Sequence, residues 1–101
     1  MAVTIYIPAS LQPFTGGRAR VELVSSATTV GEALVALWAA YPGVRDRVVN
    51  ERGEVREHVN VFAGSESIRF TGGLATPVSD GGEISIIPAV SGGSEFPSAT
   101  L

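Results

Sequence analysis

Residues 28–43 read TTVGEALVALWAAYPG, and this stretch decides what kind of domain the chain can form. Thr29 followed three residues later by Glu32 has the spacing of a capping box, in which each side chain satisfies a backbone donor left unpaired by the first helical turn. Val30, Leu34, Leu37, Trp38 and Tyr41 then recur at helical spacing as one apolar stripe. Pro42 and Gly43 end the helix. A helix with one such stripe needs one apolar surface to lie on, so the flanking segments must supply a sheet with a face to cover.

Upstream, VTIYI (3–7) alternates, with Val3, Ile5 and Ile7 on one face and Thr4 and Tyr6 on the other, the period of a half-buried strand. Pro8 ends it. A loop, ASLQPFTGG (9–17), leads to a second strand, RARVELV (18–24), with Val21 and Leu23 inward, and the two strands read as a hairpin. Downstream of the helix, VRDRVV (44–49) adds a helical turn or two, and NERGEVRE (50–57) is a polar connector centred on Gly53. HVNVFAG (58–64) puts Val59, Val61 and Ala63 on one face. A short edge strand is expected at SIRF (67–70), then a long loop, TGGLATPVS (71–79). The turn DGG (80–82) launches a final strand that carries Ile84 and Ile86 toward the core. The economical packing of this order is a mixed sheet with one main helix across one face: an α+β class, β-grasp (ubiquitin-like) domain.

Bulk composition narrows the function. A chain of 101 residues, 45% hydrophobic and 17% charged, fits one globular domain. Its net charge of -3 and lack of a basic cluster argue against nucleic acid as a partner. No apolar run approaches the roughly 18 residues of a membrane span, and MAVTIYIPAS at the start has neither a basic leader nor a small-residue cleavage site. No membrane partner and a cytoplasmic location are therefore expected. There is no cysteine, and His58 is the single histidine, so thiolate catalysis is excluded and no metal site is expected. All seven basic residues are arginine, leaving the N-terminus as the one amine.

The segment IRFTGGLATPVSDGGEISIIPAVSGG (68–93) resembles the MoaD/ThiS-type sulfur-carrier branch of the β-grasp superfamily, and within it the mycobacterial kind that serves cysteine synthesis. The resemblance runs from the first strand to Gly93. It implies a chain that is not itself an enzyme and binds no cofactor. An E1-like partner would use ATP to adenylate the Gly93 carboxylate and would convert it to a thiocarboxylate. That group would donate sulfide to a biosynthetic enzyme, in first place a pyridoxal-phosphate-dependent cysteine synthase. Two alternatives stay open: a ubiquitin-like modifier joined to lysines, and a carrier for natural-product thiosugar formation.

This reading divides the chain into a β-grasp domain, 1–91, and a flexible C-terminal arm, 92–101. Ser91 and Gly92 lead to Gly93, and two residues without side chains suit passage into a partner's narrow channel. Pro88 lacks an N–H, so ladder pairing should fade there and residues 90–101 should be mobile. Because Gly93 is amide-bonded to Ser94, either the eight-residue extension 94–101 is native and is removed by a peptidase cutting between Gly93 and Ser94, or SEFPSATL is a cloning scar. The resemblance implies a JAMM-type zinc metallopeptidase for the cut. Phe62, Ile87 and Val90 are candidates for partner docking on the open face of the sheet. Glu51, Glu54 and Glu57 belong to a solvated surface, His58 to an exposed or hydrogen-bonded strand position, and TGGLAT to a shaped turn, not a phosphate loop.

Overall fold

The computed structural model describes residues 2–24 and 26–88. Five strands, β1 (Ala2–Tyr6), β2 (Arg20–Val24), β3 (Val59–Ala63), β4 (Glu66–Ser67) and β5 (Gly82–Pro88), form one sheet in the order β2-β1-β5-β3-β4. β1 and β2 are the expected antiparallel hairpin, with Ile5 opposite Val21. β5 runs parallel to β1 and antiparallel to β3, so the sheet is mixed. Helix α1 (Val30–Ala40) covers one face and is followed by the short α2 (Pro42–Val48). This is the β-grasp arrangement.

The core lies between α1 and the inward alternation of the three middle strands. Val3 and Ile5 of β1, Ile84 and Ile86 of β5, and Val59 and Val61 of β3 are buried against Val30, Leu34 and Leu37. Burying side chains of this size stabilises by about 1.5–3 kcal/mol each. Trp38 and Tyr41 continue the stripe only half-buried at its border. Val44 and Val48 of α2 complete the core beside them.

The N-terminus of α1 is tied from both sides. Thr29 Oγ1 accepts from the Glu32 N–H at 3.2 Å. Glu32 Oε1 reaches one residue further back than the capping box predicts, accepting from the Thr28 N–H at 2.7 Å and from Thr28 Oγ1 at 2.8 Å. The Val30 N–H donates to the carbonyl of Thr76 at 2.9 Å, and the Val78 N–H to that of Thr28 at 3.0 Å. The loop containing TGGLAT is thus a clamp on the helix start. Gly72 (φ 118°) and Gly73 (φ 62°) give it the left-handed turn it needs, and a Cβ on Gly31 would stand 3.1 Å from the Leu74 carbonyl oxygen.

Two expectations need correction. Residues 9–15 are not an open loop but a 3-10 helix, closed by Gly16 at φ 66° and anchored by buried Leu11 and Thr15. The edge strand expected at 67–70 lies earlier, at Glu66–Ser67, where only Phe62↔Ser67 and Ala63↔Glu66 pair. Ser67 Oγ then accepts from the Arg69 N–H, and residues Ile68–Phe70 coil into a 3-10 turn that buries Ile68. Arg69 fastens this turn by donating from Nη2 to the carbonyls of Glu57 (2.8 Å) and Val59 (3.0 Å).

The Glu32 contacts carry a pH dependence. Hydrogen bonds from the Thr28 backbone, then from its hydroxyl, hold the Glu32 carboxyl below the ordinary glutamate range. A carboxyl depressed in the fold stabilises fully above its unfolded value, about 4.3, and loses that contribution as pH falls through the lower folded value. Thermal melts should therefore show the wild-type Tm falling more steeply than that of Glu32→Gln as pH is lowered from about 5 to about 3. Equal slopes would mean that the cap contributes nothing.

Candidate functional site

The face of the sheet away from α1 is open, and its centre is set by β5. Alternation turns Ile84 and Ile86 inward and Glu83, Ser85 and Ile87 outward. The register brings Tyr6 of β1 and Phe62 of β3 to either side of Ser85, and Asn60 beside Ile87. Ile87 is 48% exposed and Tyr6 36%, while Phe62 is half-buried. The cross-strand neighbours of Phe62, Ser85 and Ser67, carry short side chains, so its ring is flanked by low ground. The result is a small apolar surface with polar gaps.

Phe62 and Ile87 thus share the open face as expected. Tyr6, already placed opposite the core face by the alternation of VTIYI, is the residue that the sequence reading left out. Only the parallel pairing of β1 with β5 brings it to this surface. Tyr6 also carries a polar link: its hydroxyl donates to Glu83 Oε2 at 2.9 Å. That bond, aided by the negative charge of Glu83, raises the phenol above its ordinary value, while Arg20 pulls the other way. The hydroxyl faces Glu83 as a donor.

Ile87 directly precedes Pro88, the last residue of β5, which pairs with Val59. Gly93 stands six positions beyond Ile87, and six extended residues span at most about 20 Å. Val90, Ser91, Gly92, Gly93 and Ser94, and the mobility expected for 90–101, lie outside the described residues.

Elsewhere the molecule offers little for chemistry. Among the described residues no group of three or more His, Cys, Asp and Glu side chains is placed to hold a metal ion. His58 is exposed, as are Glu51, Glu54 and Glu57. A hollow of about 370 Å³ lies between Val55, Val61, Ile68 and Leu74, but the cation at its rim, Arg69, is committed to two backbone carbonyls. No helix among the described residues is long and apolar enough to cross a membrane.

Comparison with known proteins places this architecture. The chain is 40% identical to the sulfur carrier protein CysO of Mycobacterium tuberculosis over 95 residues, covering 92% of this chain and all of that protein. It is also 40% identical to small archaeal modifier protein 3 of Haloferax volcanii over 70 residues, 69% of this chain and 75% of that one. A chain of the crystallised BexX/CysO complex of Amycolatopsis orientalis superposes with a TM-score of 0.81 at 36% identity, covering 90% of this chain and 99% of that one. Residues 5–93 match the ThiS family. From the first strand to the second glycine of the diglycine, this chain belongs to the ThiS family.

Proposed function

We propose that this protein is a sulfur carrier and that its reactive atom is the carboxyl carbon of Gly93. The observation that carries the reading is where the family match stops: it begins in β1 and ends at Gly93, leaving Ser94–Leu101 outside. The full-length alignment with a sulfur carrier points the same way. In this reading an E1-like enzyme lets a Gly93 carboxylate oxygen attack the α-phosphorus of ATP, releasing pyrophosphate. Hydrosulfide then adds to the acyl carbon and AMP leaves, forming the thiocarboxylate with loss of a proton. The thiocarboxylate sulfur is a soft nucleophile that would attack an electrophilic carbon on the acceptor enzyme's substrate, and water would then cleave the acyl–sulfur bond, leaving the sulfur on that substrate and returning the Gly93 carboxylate. The cysteine-synthesis route, with a pyridoxal-phosphate-dependent synthase as acceptor, follows the resemblance to the mycobacterial carrier. The natural-product acceptor implied by the resemblance stays the alternative, and a CysO found in complex with BexX supports docking onto a protein partner.

The chain's own part in this chemistry is to present a terminus. The open face formed by Tyr6, Phe62 and Ile87, with Val90 beyond the strand, would seat the activating enzyme, and Ser91, Gly92 and Gly93 would enter its active site. Glycine at the end leaves the carbonyl open to attack. With Ser94 attached, the Gly93 carbonyl is an amide and no carboxylate oxygen exists to be adenylated. A zinc peptidase of the JAMM type, whose metal would activate a water, is the class of enzyme suited to cutting there.

One observation favours a second reading. The similarity to a small archaeal modifier protein fits a ubiquitin-like modifier, in which the same activated glycine passes to lysine amines of other proteins. Activation is common to both readings, and they part at the fate of the acyl group.

Two experiments address the shared step. With the E1-like enzyme and ATP, a chain ending at Gly93 should support pyrophosphate exchange, and the chain ending at Leu101 should not. Exchange by the longer chain would move the reactive carboxylate to Leu101. Ile87→Asp, a change on the open face, should leave the thermal melt near wild type and raise the apparent KM for the carrier by tenfold or more, roughly the loss of one well-packed apolar anchor. An unchanged KM would remove the open face from the docking surface.

A further inference from the structure

Strand β2 stands at the end of the sheet order, and its backbone and its charges are both arranged for a second strand. The Ile7 N–H donates to the Ala19 carbonyl and the Gly81 N–H to the Ala2 carbonyl, each at 2.8 Å. Odd-numbered residues of β1 therefore face β2, and even-numbered ones face β5. With Ile5 opposite Val21 and Val3 opposite Leu23, the antiparallel pattern commits Val21 and Leu23 to β1 and turns the N–H and C=O groups of Arg20, Glu22 and Val24 outward. The side chains of these same three residues are exposed, on the face opposite buried Val21. Val24 is 86% exposed. Among the described residues the one ion pair is Arg45–Asp46, so neither Arg20 nor Glu22 is engaged in another.

We propose that β2 is a self-association edge, through which two copies of this chain pair antiparallel with Arg20 of each opposite Glu22 of the other. Charge selects the register. Pairing centred on Glu22 would oppose two carboxylates, and pairing centred on Arg20 would oppose two guanidinium groups; like charges directly opposite are destabilising. Pairing centred on Val21 sets Arg20 against Glu22, and the two-fold axis makes the contact twice. A strand bearing one sign of charge would repel its copy, whereas this one carries both signs at adjacent positions of one face. On the helix side, Val35, Ala36 and Ala39 of α1 border a groove with the Ser26–Ala27 connector, and the small alanines leave room for the second helix. The pairing uses an edge, so the face formed by Tyr6, Phe62 and Ile87 remains open in the dimer.

Sedimentation equilibrium of the full chain from micromolar to millimolar concentration tests the proposal, with circular dichroism confirming that each variant is folded. The wild type should show a reversible monomer–dimer equilibrium. Arg20→Glu and Glu22→Arg should each weaken it roughly tenfold or more, since two attractive pairs become two repulsive ones. The double exchange R20E/E22R should restore it, and an equimolar mixture of the two single variants should form a heterodimer. A wild type that is monomeric throughout would overturn the proposal, as would a dimer indifferent to these reversals.

Discussion

Strand β5 has to satisfy hydrogen-bonding partners on both of its edges at once, β1 in parallel and β3 antiparallel, and the rest of the domain follows from that position. A central strand cannot turn toward water on either edge, so its alternating side chains divide the molecule into a core face and an open face. Ile84 and Ile86 lie under α1. The outward-facing Glu83, Ser85 and Ile87 line the open face. Among the described residues β5 is the last strand, and its final residue, Pro88, still pairs with Val59 of β3. One pairing constraint thus sets both the core and the open face.

The parts of the fold that depend on local chemistry were legible in the residues. The α1 signal combined a cap, a stripe and a Pro-Gly stop in one stretch, and the alternation of VTIYI, HVNVFAG and EISII gave correct inward residues because period 2 needs no knowledge of neighbours. What escaped reading was non-local. β4 pairs for only two residues, too short for alternation to register, and its position depends on where the Gly64 turn releases the chain. The 3-10 helix at 9–15 is held by Leu11 in the core and by the buried Thr15 hydroxyl against the carbonyls of Gln12 and Arg18, while Pro13, Gly16 and Gly17 advertise a loop. Tyr6 was assigned to the correct face but not to the candidate site, because no local signal places β1 next to β5.

Without cysteine or lysine, an activated carboxyl on one copy meets no thiol or side-chain amine on another. Glu32 at the α1 cap, Arg69 across the β3 entrance and Thr76 in the clamp each bond to backbone groups.

The central claim is tested most directly by intact-mass and fragment-ion analysis of the chain isolated from the cells that encode it. The account predicts a population ending at Gly93 with one carboxyl oxygen replaced by sulfur, the replacement localised to the last residue. A chain whose Gly93 is recovered only in isopeptide linkage to lysines of other proteins, or which carries sulfur while still retaining Ser94–Leu101, would contradict it.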